Sequence, residues 1–253
     1  MFGNFDWDVI RRSLPYLFRE GMTFTLTLTV LAMAGGLILG TLLAMMRLSS
    51  LRFLSAVATG YVNLIRSVPL LLVIFWFYFL VPYIGGYLFH ELYLLNPDGI
   101  GSLLVDTFGY VVKDGGVIQV GAFASSLITF TIFEAAYYCE IMRAGIQSIS
   151  RGQISASYAL GLNYWQAMGL IVLPQAFRNM LPVLLTQTII LFQDTSLVYV
   201  LSITDFLGAA SKIAQRDGRL VEMYLFAALV YFLICFGGSL LVKRLQVKLA
   251  VIR

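Results

Sequence analysis

Long apolar runs alternate along this chain with short polar breaks. Met22–Met46 is 25 residues without a charge. At ~1.5 Å per residue in a helix this exceeds the ~30 Å hydrocarbon core of a bilayer. Ser67–His90 is a second such run, 24 residues free of Asp, Glu, Lys and Arg and rich in aromatics from Phe75 to Phe79. A third begins near Gly115 and continues past Phe133 into Glu140. The fourth apolar stretch, Ala167 to Thr204, has 38 residues, too many for one straight span, and is interrupted by Pro174, Arg178, Pro182 and Asp194. It predicts a lead-in segment up to Pro182 and a span from Val183 to about Ile203. Met223–Val242 is the fifth run, again without charge. The pattern predicts an all-α polytopic membrane protein with five transmembrane helices.

The polar breaks supply the connections. In residues 1–21, Phe5, Trp7, Ile10, Leu14 and Leu17 fall near helical spacing, which predicts a short amphipathic helix lying in the membrane interface. Asp6, Asp8, Arg11, Arg12 and Arg19 and the lack of an apolar core exclude a secretory leader. Leu51–Leu64 reads as an elbow or as the early part of the second helix, with Pro69 and Pro82 as candidate kinks. Glu91–Asp114 contains Asn96-Pro97-Asp98-Gly99 and reads as a loop-rich connection. Arg143–Trp165 is amphipathic and too polar to span. Asp205–Glu222 is polar. Five spans place the two ends on opposite sides. With the C-terminus in the cytoplasm, 10 of the 17 Lys and Arg lie inside and 7 outside. The positive-inside bias therefore favours a cytoplasmic C-terminus, a periplasmic N-terminus and a periplasmic 91–114 connection.

Composition narrows the function. Of 253 residues, 60% are hydrophobic and 12% charged, with mean hydropathy +0.87. Soluble domains carry roughly 25% charged residues. A soluble enzyme, a disordered chain and a nucleic-acid binder are excluded despite the net charge of +4. Cys139 and Cys235 lie inside apolar segments, outside any Cys-x-x-Cys pattern, and His90 is the one histidine. No set of metal ligands or catalytic residues follows from them. The chain has no Gly-x-x-x-x-Gly-Lys-Ser/Thr loop, so it is not expected to hydrolyse ATP itself.

The most informative segment, 151–174, reads Arg151-Gly152-Gln153-Ile154-Ser155-Ala156-Ser157, then Gly161 after three residues, then Ile171-Val172-Leu173-Pro174 after nine more. A short helix between two spans, studded with small side chains, suits docking into a soluble partner. The segment resembles the cytoplasmic coupling motif of importer-type ABC transporter permeases: Glu-Ala-Ala, three residues, Gly, nine residues, Ile-x-Leu-Pro. Every spacing is kept, while Ser155 stands where the motif has its acidic residue and Ser157 where it has an alanine. The stretches Ala135–Ile149, Tyr61–Leu70 and Gln193–Leu197 are similar to polar amino acid permeases. Phe133–Tyr138 and Leu191–Leu201 most resemble the glutamate/aspartate branch.

The resemblance implies a type I ABC importer permease fold over residues 1–253, with 151–165 as the coupling segment, in a bacterial inner membrane. It implies contact of Gly152, Gln153, Ser155, Ala156, Ser157 and Gly161 with an ATPase dimer. Further implied partners are a periplasmic amino-acid-binding protein and a homologous second permease subunit in a heterodimer. No cofactor is expected on this chain; ATP and Mg would sit on the partner ATPase. Other polar amino acids (glutamine, asparagine, histidine) are alternative cargoes. A secondary carrier, or a structural subunit whose partner holds the ligand, are rival readings.

Ionisable groups at membrane depth are costly and usually face a cavity or a partner. The candidate substrate-pathway residues are Arg66, Glu134, Gln187, Asp194, Thr195 and Ser196. An acidic amino acid needs a cation for its carboxylates, and Arg66 is the first choice. It has two alternatives, snorkelling to the interface or pairing with Glu140. Glu140 and Arg143 are spaced to pair along one helix. Glu134 suits an ammonium group, a pair with Arg66 or a protonated state. Asp194 suits the substrate ammonium or the capping of freed backbone groups. Gln187, seven residues before Asp194, shares its helix face.

Overall fold

The computed structural model describes residues 5–99, 101–103, 116–117 and 120–249. They form two compact units: one holds the described residues of 1–67 and 130–253, the other those of 68–129.

In the first unit, α1 (Trp7–Tyr16) starts at Asp6, whose carboxylate accepts the amides of Asp8 at 2.9 Å and Val9 at 3.3 Å. It does not stop before the first span. A π-helical turn, Leu17–Met22, carries it into α2 (Thr23–Leu48), and the whole is one 42-residue helix. The short amphipathic helix expected within 1–21 is present, and it is continuous with the first long apolar run. Pro15 lacks a donor and crowds the carbonyl four residues back, and a wide turn just beyond it keeps the helix continuous. Val9, Ile10 and Leu17 are buried in the core of this unit, while Trp7 and Leu14 of the same expected apolar face are exposed.

The elbow is a helix of its own, α3 (Arg52–Arg66), with Ala58, Val62 and Ile65 buried. It closes at Ser67, whose hydroxyl donates to the Asn63 carbonyl at 2.7 Å, so it is not the start of the second span. In the second unit Pro69 caps α4 (Leu70–Phe75), which runs through a π turn (Trp76–Leu80) into α5 (Val81–Leu95). Pro82 follows that turn by two residues and leaves the run unbroken. Residues Glu91–Leu95 are helical rather than loop, and Asn96 closes the helix by accepting the Gly99 amide at 3.0 Å. The expected start of the third span near Gly115, and half of the 91–114 connection, lie outside the described residues; α6 (Ala122–Gln147) is helical from Ala122. Near its start Ser125 donates to the Phe77 carbonyl at 3.1 Å.

Beyond α6 the first unit continues with α7 (Arg151–Ala159), then α8 (Tyr164–Ala167), a π turn (Met168–Val172), α9 (Leu173–Asp194) and a 3₁₀ segment (Thr195–Leu201). The expected division at Pro182 is not present: α9 passes straight through it. Within membranes, proline inside a helix is tolerated where neighbours absorb the freed carbonyl. The change of winding comes instead at Asp194–Thr195. Asp205 caps α10 (Phe206–Asp217), Gly218 at φ 66° ends it, and α11 (Leu220–Leu249) completes the chain. Among the described residues five helical runs are long and apolar enough to cross a membrane: 7–48, 70–95, 122–147, 164–201 and 220–249.

Two close approaches hold the first unit together. A Cβ on Gly40 would lie 2.9 Å from the Tyr138 Cβ and 3.0 Å from the Ala135 carbonyl oxygen; one on Gly36 would stand 3.1 Å from the Glu134 Cβ. Gly36 and Gly40 are one turn apart, so α2 lies directly on α6, the small-residue packing that membrane helices favour. Gly21, inside the first π turn, would place a Cβ 2.9 Å from the Phe206 Cα. That contact seats α10 against the first helix.

Candidate functional site

Polar positions on α6 organise the site. Glu134 is fully buried, and the Gln187 amide donates to both its carboxylate oxygens, at 3.2 and 3.3 Å. Tyr138, also fully buried, shares a 3.2 Å hydrogen bond with the Thr188 hydroxyl. These two links join α6 to α9. Three residues after Glu134, Tyr137 presents its ring to the Arg66 guanidinium, 5.4 Å from the centroid. Tyr137 stands within electrostatic reach of Arg66, Glu134 and Asp194 together. Asp194 also reaches Glu134 with its field.

Of the expected pathway residues, the structure thus sets Arg66 beside the Tyr137 ring and joins Gln187 to Glu134, with Asp194 within electrostatic reach of both Tyr137 and Glu134. Thr195 is buried with its hydroxyl turned back to the Phe192 carbonyl at 2.7 Å. Ser196 is half-buried on the 3₁₀ segment. Arg66 does not pair with Glu134. Its Nη1 lies 3.9 Å from the Glu140 carboxylate, the second of the arrangements expected for it.

Glu140 is the centre of a charged cluster. It accepts hydrogen bonds from Arg47 and from Arg143, the latter through Nε at 3.2 Å and through Nη2. Arg47 also donates to the Thr59 hydroxyl at 3.2 Å, and the Ser55 hydroxyl donates to the Arg47 carbonyl at 3.0 Å, binding α2 to α3. Sequence reasoning found the Glu140–Arg143 pair and missed Tyr137 and Arg47. The three-residue step from Glu134 signals Tyr137. Arg47 and Glu140 are 93 positions apart, with nothing local to link them.

The segment 151–174 folds into a compact corner. The Ser150 hydroxyl accepts the Gln153 amide at 3.4 Å at the start of α7. Gly161 takes φ +83°, a left-handed turn suited to glycine, and Asn163 and Gln166 cap α8 reciprocally at 2.9 and 3.0 Å. Gly152, Gln153, Ser155, Ala156 and Gly161 are exposed. Ser157 is buried and donates to the Ile154 carbonyl at 2.7 Å, so its side chain faces inward. Leu160 and Trp165 are also outward, 83% and 79% exposed. Behind the corner lies a cavity of about 520 Å³ lined by Ile149, Arg151, Ile154, Tyr158 and Met168 among others.

Two further polar sites serve the fold. Asp205 is fully buried and accepts the amides of Leu207 at 3.0 Å and Gly208 at 2.9 Å. Burial pushes its carboxyl up to about 7, against the pull of those bonds and of Lys212. Arg12 joins Asp217 at 3.1 Å, and the Asp6 amide donates to the Glu222 carboxylate at 3.3 Å, tying the start of the chain to the turn between α10 and α11.

Residues 36–251 match the family of binding-protein-dependent transport system inner membrane components. The chain is 50% identical, over 98% of its length and 99% of the relative's, to the glutamate/aspartate import permease protein GltK of Escherichia coli O6:H1 (strain CFT073). It is 31% identical, over 92% of its length and 93% of the relative's, to a probable glutamine ABC transporter permease protein, GlnM, of Bacillus subtilis (strain 168). Among solved structures, the crystal structure of an amino acid ABC transporter with histidines superposes with a TM-score of 0.78 at 27% identity, covering 96% of this chain and 98% of that one.

Proposed function

The chain belongs to the binding-protein-dependent transport system inner membrane components, and from that membership we infer that it is the membrane permease of an ATP-driven importer of glutamate and aspartate. The observation that carries the cargo is the 50% identity to GltK along nearly the whole of both chains. An ATPase and a binding protein are the partners that such a family entails. The finer assignments are our own: a homologous permease as the second half of the pathway, ATP and Mg held by the ATPase and by no group of this chain, and the C-terminus in the cytoplasm.

The geometry supports a division of labour. A dicarboxylate amino acid brings two carboxylates and one ammonium. Arg66, half-exposed beside the Tyr137 ring, offers a guanidinium fork to a carboxylate. Asp194, partly exposed, offers the opposite charge to the ammonium, while Glu134 is fully buried and held through both oxygens by Gln187, so it acts from within the helix packing rather than by contact. The exposed face of α7 carries the coupling contact through Gly152, Gln153, Ser155 and Ala156, with Gly161 shaping the turn behind it. Ser157 acts from inside, by closing the helix on itself. Glutamine remains the alternative cargo, supported by the 31% identity to GlnM. An ion-driven carrier leaves the 151–174 corner without a task.

Arg66→Gln tests the assignment. Loss of a charge-assisted pair of roughly 1.5–3 kcal/mol corresponds to binding about 10- to 150-fold weaker. Glutamate uptake by the assembled variant should fall accordingly while the binding protein's own affinity is unchanged. Arg66→Lys should restore it in part, since an ammonium lacks the fork. Wild-type uptake by a fully assembled Arg66→Gln complex would remove Arg66 from the pathway.

A further inference from the structure

Glu140 is shared unequally. Arg47 and Arg143 hold it by direct hydrogen bonds and are mostly covered, with 13% and 26% of their side chains exposed. Arg66 reaches the same carboxylate at 3.9 Å, an ion-pair distance without a hydrogen bond, and is 40% exposed. Three guanidiniums therefore face one carboxylate, and the third is the least committed. That third arginine is the one proposed to meet the substrate. A loose, half-exposed ion pair is worth little, whereas a bidentate guanidinium–carboxylate pair is among the stronger polar contacts.

We propose that Glu140 is an internal competitor for Arg66: in the empty permease it occupies the guanidinium, and it yields Arg66 only to a ligand that brings a carboxylate to the same place. This rests on Arg66 being a substrate contact. A neutral side-chain amide cannot replace the Glu140 charge, so it leaves Arg66 where it is. A carboxylate can, and Glu140 keeps Arg47 and Arg143 as partners when Arg66 departs, so no buried anion is stranded. The Tyr137 ring, 5.4 Å from the guanidinium, gives Arg66 a surface to lie on in the empty state. Glu140 is in this sense a positioning residue that sets selectivity between acidic and neutral cargo without touching either.

The test is equilibrium binding of L-glutamate and of L-glutamine to the assembled transporter in lipid nanodiscs, without the binding protein. Glu140→Gln should tighten glutamate about 2- to 5-fold, the worth of a weak exposed pair, and leave glutamine unchanged. The tightening should vanish in the Glu140→Gln, Arg66→Gln double variant, because it acts through Arg66. If it persists there, the added positive potential of Arg47 and Arg143 is the cause and the competitor role is wrong. Equal shifts for both ligands, or no shift, also overturn it. Should Glu140→Gln fail to assemble, Glu140→Asp keeps the charge and withdraws it from Arg66 by one methylene, with the same expected direction for glutamate and the same reversals. Unchanged glutamate binding by Arg66→Gln alone refutes the substrate site itself. Weakened binding there, with no selectivity change from either Glu140 variant, refutes only the competitor.

Discussion

Individual side chains in this molecule are placed by what they would otherwise leave unpaired. Glu134 lies fully buried and is tolerated because one amide, from Gln187, faces both its oxygens. Asp205 is the counterpart outside the spans. Its oxygens accept two amides at the start of α10, Lys212 stands on the same helix, and the Tyr231 phenol on α11 feels its charge. A carboxyl with a folded value of about 7 against an ordinary value of about 4 binds its proton more readily folded than unfolded. Its linkage therefore lowers stability as pH rises from about 4 to about 7, with no further change above. Asp205→Asn keeps a capping oxygen and has no proton to bind. The thermal stability of the assembled complex, read by size-exclusion after heating at pH 5 and pH 8, should show a smaller pH difference in this variant than in wild type. The same difference in both proteins would assign the pH dependence elsewhere. The charges themselves were legible in the sequence, since an ion at membrane depth demands a reason. The pairing of Arg66 with Glu140 was among the arrangements the sequence suggested, whereas that of Arg47 was not, because Glu140 lies 93 positions away on α6 and only tertiary packing joins them.

At the scale of elements, apolar runs and glycine spacing explain most of what forms, and proline is where prediction from sequence departs from the fold. Pro82 and Pro174 each follow a π-helical turn by two residues, and Pro15 precedes one by two. A wide turn relieves the clash of the ring with the carbonyl four residues back, so helices that sequence rules would break run on. The α2–α6 contact rests on Gly36 and Gly40. Gly40→Val would push branched atoms into the Tyr138 Cβ and the Ala135 carbonyl, overpacking that costs about 1–3 kcal/mol. Gly60, where a Cβ would meet nothing within 4 Å, is the control: Gly60→Ala should leave stability equal or raise it by up to about 1 kcal/mol. Heating the purified complexes and comparing the surviving monodisperse fraction separates the two. On α7, Ala156 is exposed with no structural duty of its own. Ala156→Arg should leave the permease inserted and folded, yet release the ATPase or abolish substrate-stimulated ATP hydrolysis. Wild-type transport by that variant would move the docking contact off this face.

For the whole molecule, the question is which way it faces. Five spanning runs require the ends of the described chain to lie on opposite sides of the bilayer. The 10-to-7 division of basic residues favours a cytoplasmic C-terminus. The fold adds a separate reason. The exposed corner at 151–165 follows α6 and lies on the side where α11 ends, because two runs come after it (164–201 and 220–249) and an even number of crossings returns the chain to the same side. If α7 meets an ATPase, that side is the cytoplasm. On that placement Asp98, after the second run, is expected on the periplasmic side and Lys248, at the end of the fifth, on the cytoplasmic side. Single cysteines at these two positions, in a background with Cys139 and Cys235 replaced by serine or alanine, report on this directly. A membrane-impermeant maleimide applied to intact spheroplasts should label the cysteine at 98 and spare the one at 248, and lysis should expose both. The opposite pattern would place α7 in the periplasm, where no ATPase is available, and with it would fall both the orientation and the docking role.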